Sequence, residues 1–284
     1  MNKSTYTLQL DENTISNVID YYAGNDIALS NPYTTNHYKF NNVDISVFKS
    51  CKVLFSGKNA FDEYVKFSHL VNWEFTYTHA GSDEVGTGDF FGPVIVVAVL
   101  FNENDLDFVN SLNIKDSKKL NDDYIFELGP NLINHFKHSI LILNNNKYNE
   151  MNEKGFNMNK LKAYLHNKAY LNLITKVGPI NEFVLDQFEE KQAYFNHLSD
   201  YKEIVTNVTF RTKGEDKSPA VAVASLIARY VFLVEMKKIS DLVGFEIKKG
   251  AGSEVIKQKR YIENRKGKDF LRNIAKLNFK TIEQ

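Results

Sequence analysis

Two adjacent carboxylates, Asp83 and Glu84, stand between an apolar–polar stretch, Trp73 to Ala80, and an apolar run, Val94 to Phe101. Between the acids and that run lie the turn Gly86-Thr87-Gly88 and the pair Gly92-Pro93. This order predicts a strand, a tight polar turn and a second, buried strand. Acids at a strand end cost stability when dry and unpaired, and a metal ion or a basic partner offsets that cost. Glycines let a ligand come close to the backbone. A carboxylate pair beside a turn of backbone donors is the equipment of metal-assisted chemistry at a phosphodiester.

The remainder of the chain sets bounds on that reading. Its 284 residues suffice for one large domain or two modest ones, and 43% hydrophobic with 25% charged residues is a globular composition. Lys plus Arg and Asp plus Glu both number 35, so a nucleic-acid partner requires charge segregated onto one face. The single cysteine, Cys51, excludes an internal disulfide framework and suits a reducing cytoplasm, the expected location. The polar start, Met1-Asn2-Lys3-Ser4, has no apolar core of signal-peptide length, no stretch is expected to span a bilayer, and no membrane partner is expected.

Residues 1–66 read as a small α+β unit: a strand at Thr5–Leu10, a helix at Asp11–Tyr22, three short strands within 38–55 and a helix at Asn59–Phe67. Residues 67–76 are the predicted linker. Residues 77–284 read as a larger domain with strands at the Asp83 segment, 94–101, 139–143, 182–186 and 205–211. Helices are predicted at 121–136, 160–177 and 219–239. Two neighbouring strands followed by strand–helix alternation predict a mixed sheet covered on both faces.

Two further acids stand out by position. Asp186 ends the apolar strand Phe183-Val184-Leu185, where α/β sheets present ligand groups. Asp216 precedes Ser218-Pro219, a cap and first turn for a helix whose alanines let it lie close against a sheet. A divalent, oxygen-preferring cation would give Asp83, Glu84, Asp186 and Asp216 a shared purpose. Each also has an ordinary reading: a lone Asp at a strand end is commonly a solvated turn residue, and Asp216 alone is a favourable helix N-terminal charge. Asp83 and Glu84 point to opposite faces of a regular strand, and share a site only if the chain bends, as Gly86 and Gly88 permit.

The run from Gly81 through Asp83-Glu84 and Gly86-Thr87-Gly88 to Gly92-Pro93 resembles the signature of bacterial ribonuclease HIII, a type 2 ribonuclease H. Asp116-Ser117-Lys118-Lys119-Leu120, Lys147-Tyr148-Asn149, Asn159 to Asn172, Leu185-Asp186-Gln187-Phe188, Lys213 to Lys217 and Lys249 to Gly252 resemble later family segments in order. The resemblance implies an α/β, ribonuclease H-like mixed sheet flanked by helices. It implies a preceding small α+β domain like the TATA-binding protein, which the element order of residues 1–66 supports. It further implies endonucleolytic hydrolysis of the RNA strand of RNA–DNA hybrids, giving 5′-phosphate and 3′-hydroxyl ends. Catalysis would use Mg²⁺ or Mn²⁺ on Asp83, Glu84, Asp186 and Asp216, with Glu215 an alternative to Asp216. Gly86, Thr87 and Gly88 would read ribose 2′-hydroxyls, which only RNA carries. Type HII enzymes have Gly-Arg-Gly at this turn, so recognition of a lone ribonucleotide in DNA is expected to be weaker here. Ser117, Lys118, Lys147 and Lys213 are expected substrate contacts, through phosphate neutralisation for the lysines; solvated surface lysine is the ordinary reading of each. A monomer is expected.

Overall fold

The protein is described by a computed structural model that covers residues 4–29, 31–68, 70, 73–112 and 120–279. The chain divides into two compact units, one of residues 1–76 with 104–119 and one of 77–103 with 120–284. Residues 104–119 thus cluster with the first unit, although they follow the first two strands of the second.

In the first unit, β1 (Ser4–Gln9), α1 (Ile15–Tyr22), β2 (Thr34–Phe40), β3 (Val43–Phe48), β4 (Lys52–Gly57) and α2 (Ala60–Ser68) form an antiparallel sheet, in the order β1-β4-β3-β2, with two helices. Alternate residues of β3 are buried, Val43, Ile45 and Val47, and pack with Tyr22, Phe55 and Tyr64 into one core. Asn41 and Asn42, at φ 51° and 62°, make the two-residue hairpin between β2 and β3. α1 starts four residues later than the periodicity predicts. Asp11 Oδ1 accepts from the backbone N–H groups of Asn13 and Thr14 at 3.0 and 2.7 Å, which holds 11–14 in a turn that competes with the helix. A short helix, α3 (Leu106–Ser111), belongs to this unit, and Trp73 Nε1 donates to its Asn110 at 2.9 Å.

The second unit is built on β5 (His79–Val85), β6 (Val94–Phe101), β7 (Lys137–Leu143), β8 (Phe183–Asp186) and β9 (Val208–Arg211), in the order β7-β6-β5-β8-β9. β7, β6 and β5 are antiparallel neighbours, and β8 and β9 continue the sheet parallel to β5. β9 starts at Val208, not Val205, because the Val205 N–H is taken by Asn167 at 2.9 Å. The helices are α4 (Asp122–His135), α5 (Asn145–Glu153), α6 (Met158–Val177), α7 (Lys191–His197), α8 (Pro219–Val243), α9 (Ser253–Lys266) and α10 (Lys268–Ile274).

α6 and α7 cover one face of the sheet, where Ala80, Leu185, Tyr170 and Tyr194 are fully buried together. α8 covers the other so closely that a Cβ on Gly81 would sit 2.5 Å from Val221 N. Ser218 caps α8 by accepting from Val221 N at 3.2 Å, Pro219 opens it, and Gly244 ends it in the left-handed region. By length and composition α8 could cross a bilayer, which corrects the expectation that no stretch approaches a span; 72% of its most apolar window is buried in the protein, as in a core helix.

Candidate active site

β5 delivers both acids to its C-terminal end and turns them to opposite faces. Pairing with β6 is regular through Asp83–Val97, Glu84–Val96 and Val85–Ile95, so the chain does not bend at the acids. The bend follows at Gly86, whose φ is +88°. Gly81 and Asp83 face α8, and Ser82 and Glu84 face α6.

Asp83 is 9% exposed and hydrogen-bonds Ser225 of α8 and the Glu84 N–H, the latter at 2.8 Å. The register Ala80–Phe183, Gly81–Val184, Ser82–Leu185 sets Asp186 abreast of Asp83 on the neighbouring parallel strand. Burial pushes the Asp83 carboxyl well above the usual carboxylate range; the charges of Glu84 and Asp186 add to the shift and the Ser225 bond opposes it. Asp186 Oδ1 accepts the Gly214 N–H at 2.8 Å. Gly214 opens a 3₁₀ turn, Gly214–Asp216, that leads into the cap of α8. Asp216 is thereby anchored near the core while its side chain remains exposed; Glu215 beside it is buried.

Glu84 is engaged on the other face. Lys162 of α6 forms an ion pair with its Oε1, and His166 lies 2.9 Å from its Oε2. Burial raises the Glu84 carboxyl, but the hydrogen bond and charge of His166 and then Lys162 outweigh it, and its affinity for protons falls below the ordinary value. Behind this pair runs a buried chain: His166 Nδ1 to Ser82 Oγ at 2.7 Å, Ser82 Oγ to Tyr170 Oη at 2.5 Å, and Tyr170 Oη to the Val184 carbonyl at 3.2 Å. The Lys162 ammonium also lies 3.8 Å from the centre of the Phe188 ring.

The four acids therefore do not close into one ring. Among the described residues no group of three His, Cys, Asp or Glu side chains is gathered to hold a metal ion. Their donor chemistry does suit a hard divalent cation: all are carboxylates, two sit abreast, and the buried one is raised by burial first and then by the charges of Glu84 and Asp186, which a cation would offset. A cavity of about 650 Å³ lies along Phe126, Leu233, Met236 and Phe245, and none of Asp83, Glu84, Asp186 and Asp216 lines it.

The other expected contacts are distributed unevenly. Gly86, Thr87 and Gly88 follow directly on the acids, and a Cβ on Gly88 would meet nothing within 4 Å, so the tip of the turn is open to approach. Lys213, at φ 54°, immediately precedes the glycine that binds Asp186. Lys147 sits in the first turn of α5 and is paired with Glu150 at 3.0 Å. Ser117 and Lys118 lie outside the described residues. Sequence reasoning did not single out Lys162, His166 or Ser225. The available signal was the spacing of Lys162, His166 and Tyr170, four residues apart on one face of α6.

Comparison with known proteins identifies the family. The family described as ribonuclease HII matches residues 80–282, and a domain of unknown function matches residues 5–74. The ribonuclease HIII of Lysinibacillus sphaericus is 37% identical over 99% of this chain and 98% of its own. That of Bacillus subtilis is 40% identical over 83% of this chain and 82% of its own. The crystal structure of Bst-RNase HIII in complex with Mn²⁺ is similar with a TM-score of 0.74 at 32% identity, covering 98% of this chain and 96% of that one. With likeness running through both units, this chain belongs to the ribonuclease HIII family of nucleases.

Proposed function

We propose that the chain hydrolyses the RNA strand of RNA–DNA hybrids endonucleolytically, with Mg²⁺ or Mn²⁺, leaving 5′-phosphate and 3′-hydroxyl ends. The observation that carries this reading is the pair Asp83 and Asp186, abreast at the ends of adjacent parallel strands, with the Gly86-Thr87-Gly88 turn immediately beyond. The Mn²⁺ complex of the similar Bst-RNase HIII supports the choice of cation. Asp83 and Asp186 would hold the metal from one face of the sheet, and Glu84 and Asp216 would complete its ligands at the strand end, where both faces are reached. When bound, it would supply an activated water and charge stabilisation at the scissile phosphate.

The chain's own residues do the rest. Burial and then the charges of Glu84 and Asp186 raise the Asp83 carboxyl, so a cation bound between Asp83 and Asp186 would favour the ionised form of Asp83. Lys162 and His166 keep Glu84 charged and oriented from the α6 side. The Gly86-Thr87-Gly88 backbone reads ribose 2′-hydroxyls without reading sequence. Ser117, Lys118, Lys147 and Lys213 contact the hybrid, the lysines through its phosphates. The protein works as a monomer in the cytoplasm, which suits its single cysteine.

The test is Asp83→Asn, which keeps the shape and removes the charge. Hybrid cleavage is expected to fall by about three orders of magnitude or more while hybrid binding stays within about threefold. Near-normal cleavage by this variant would falsify the assignment. Mapping products on a hybrid and on DNA with one embedded ribonucleotide checks the substrate: strong cutting of the hybrid and weak cutting of the second are expected.

A further inference from the structure

The segment from Gly86 to Pro93 joins the acid-bearing strand to β6, and its two limbs nearly touch: a Cβ on Gly86 would lie 2.2 Å from the Pro93 carbonyl oxygen. Its base is held by residues from far along the chain. The Gly92 N–H donates to Ile274 O at 2.9 Å, the Lys276 N–H to Phe90 O at 2.9 Å and the Phe90 N–H to Gly250 O at 2.9 Å. The Gly250 N–H donates to Asp89 Oδ1 at 2.6 Å.

Under this base lies the side chain of Lys276, with no exposed surface. Its Nζ donates to the Asp89 carbonyl at 2.8 Å and to the Gly92 carbonyl, and Asn145 Nδ2 donates to the same Gly92 carbonyl at 2.8 Å. The Tyr148 ring closes the site, 5.9 Å from Nζ to its centre. Among the described residues no carboxylate lies within ion-pair distance of Nζ. An amino group buried on neutral carbonyls is costly to fold, and a well-packed apolar side chain would be easier to bury. What Lys276 achieves that an apolar side chain would not is to draw two carbonyls, three residues apart, onto one point.

We propose that Lys276 is a positioning residue for substrate: with Asn145 it clamps the carbonyls of Asp89 and Gly92 and so fixes where Thr87 and Gly88 meet the hybrid. This rests on the reading of the Gly86-Thr87-Gly88 turn as the part that reads ribose. Lys276 touches neither the acids nor the substrate in this scheme. A positioning defect therefore appears in KM and in discrimination, with kcat less affected.

The experiment uses the full-length chain and its Lys276→Met variant, which matches the stem of lysine and removes the donor. Folding is checked by circular dichroism and a thermal melt. Cleavage kinetics are measured on an RNA–DNA hybrid with Mn²⁺, and binding of the hybrid and of an all-DNA duplex is measured by fluorescence anisotropy in EDTA. The expected result is a KM raised about tenfold, a kcat within about threefold, and a reduced preference for hybrid over duplex. A folded variant with wild-type KM and wild-type preference overturns the proposal. Wild-type protein that cuts no hybrid overturns the underlying reading instead, and the two failures are told apart by that control. Should Lys276→Met not fold, Asn145→Ala carries the test, because it removes the second donor to Gly92 and leaves Lys276 in place. Raised KM there supports the clamp, and unchanged KM and preference overturn it.

Discussion

The titration of single residues makes the burial of Lys276 measurable apart from activity. Burial pulls its ammonium down from the usual lysine range to about 7, with Asp89 opposing. Below that value folded and unfolded chains both carry the proton, and the folded state bears the cost of a buried charge. Between about 7 and 10.5 the unfolded chain still binds a proton that the folded chain has released, so this group's contribution makes stability rise with pH. Over pH 7 to 9 the rise is worth about 2–3 kcal/mol. Lys276→Met removes it, so wild type is expected to gain on the variant by that amount in denaturant titrations at pH 7 and 9. Parallel stability curves would contradict the buried placement. Arg229, another cation within an apolar stretch, has a different fate: it pairs with Asp122 at 2.8 Å and donates to the Leu120 carbonyl.

At the scale of elements, β5 and α8 are bound by close approach. Gly81→Ala would drive a methyl against the α8 backbone at Val221 and Ala220, neither of which can yield as a flexible side chain would. A loss of about 3 kcal/mol is expected, read as a lowered melting temperature with hybrid cleavage lost in proportion to folded protein. A melting temperature equal to wild type would argue against the close packing. Much of this level was legible in advance. The apolar run of β6, the third-acid strand β8, the cap at Ser218 and the alanine-rich helix announce themselves by pattern. So does the opposition of Asp83 and Glu84, which follows from the two-residue period of a strand. What stayed hidden has physical reasons. α5 is Asn-rich and has no apolar stripe; its N-terminus is made by Asn144 accepting from Lys147 N at 2.9 Å. α7, α9 and α10 are short or highly charged, and their periodicity is correspondingly weak. Lys162 and His166 were invisible as partners of Glu84 because they lie about eighty residues away in sequence, joined to it only by the sheet–helix packing.

At the scale of the whole molecule, the chain leaves its second unit after β6 and returns to the first for residues 104–119 before resuming. A fragment beginning at Tyr77 therefore loses the Trp73 side chain that bonds Asn110, and with it a partner of α3. In that fragment limited proteolysis is expected to cut within 106–112 while far-ultraviolet circular dichroism retains the signal of the remaining unit. Equal resistance of that segment in fragment and full chain would show that α3 stands without the first unit. The sheet of the second unit has a further consequence through its first strand, which sends one acid to each side. A sheet is a wall, and no molecule reaches both sides of a wall except at its rim. A ligand that engages both acids must arrive edge-on, at the strand end where the turn begins. That approach suits a long polymer crossing the rim and excludes a small compound enclosed between the layers.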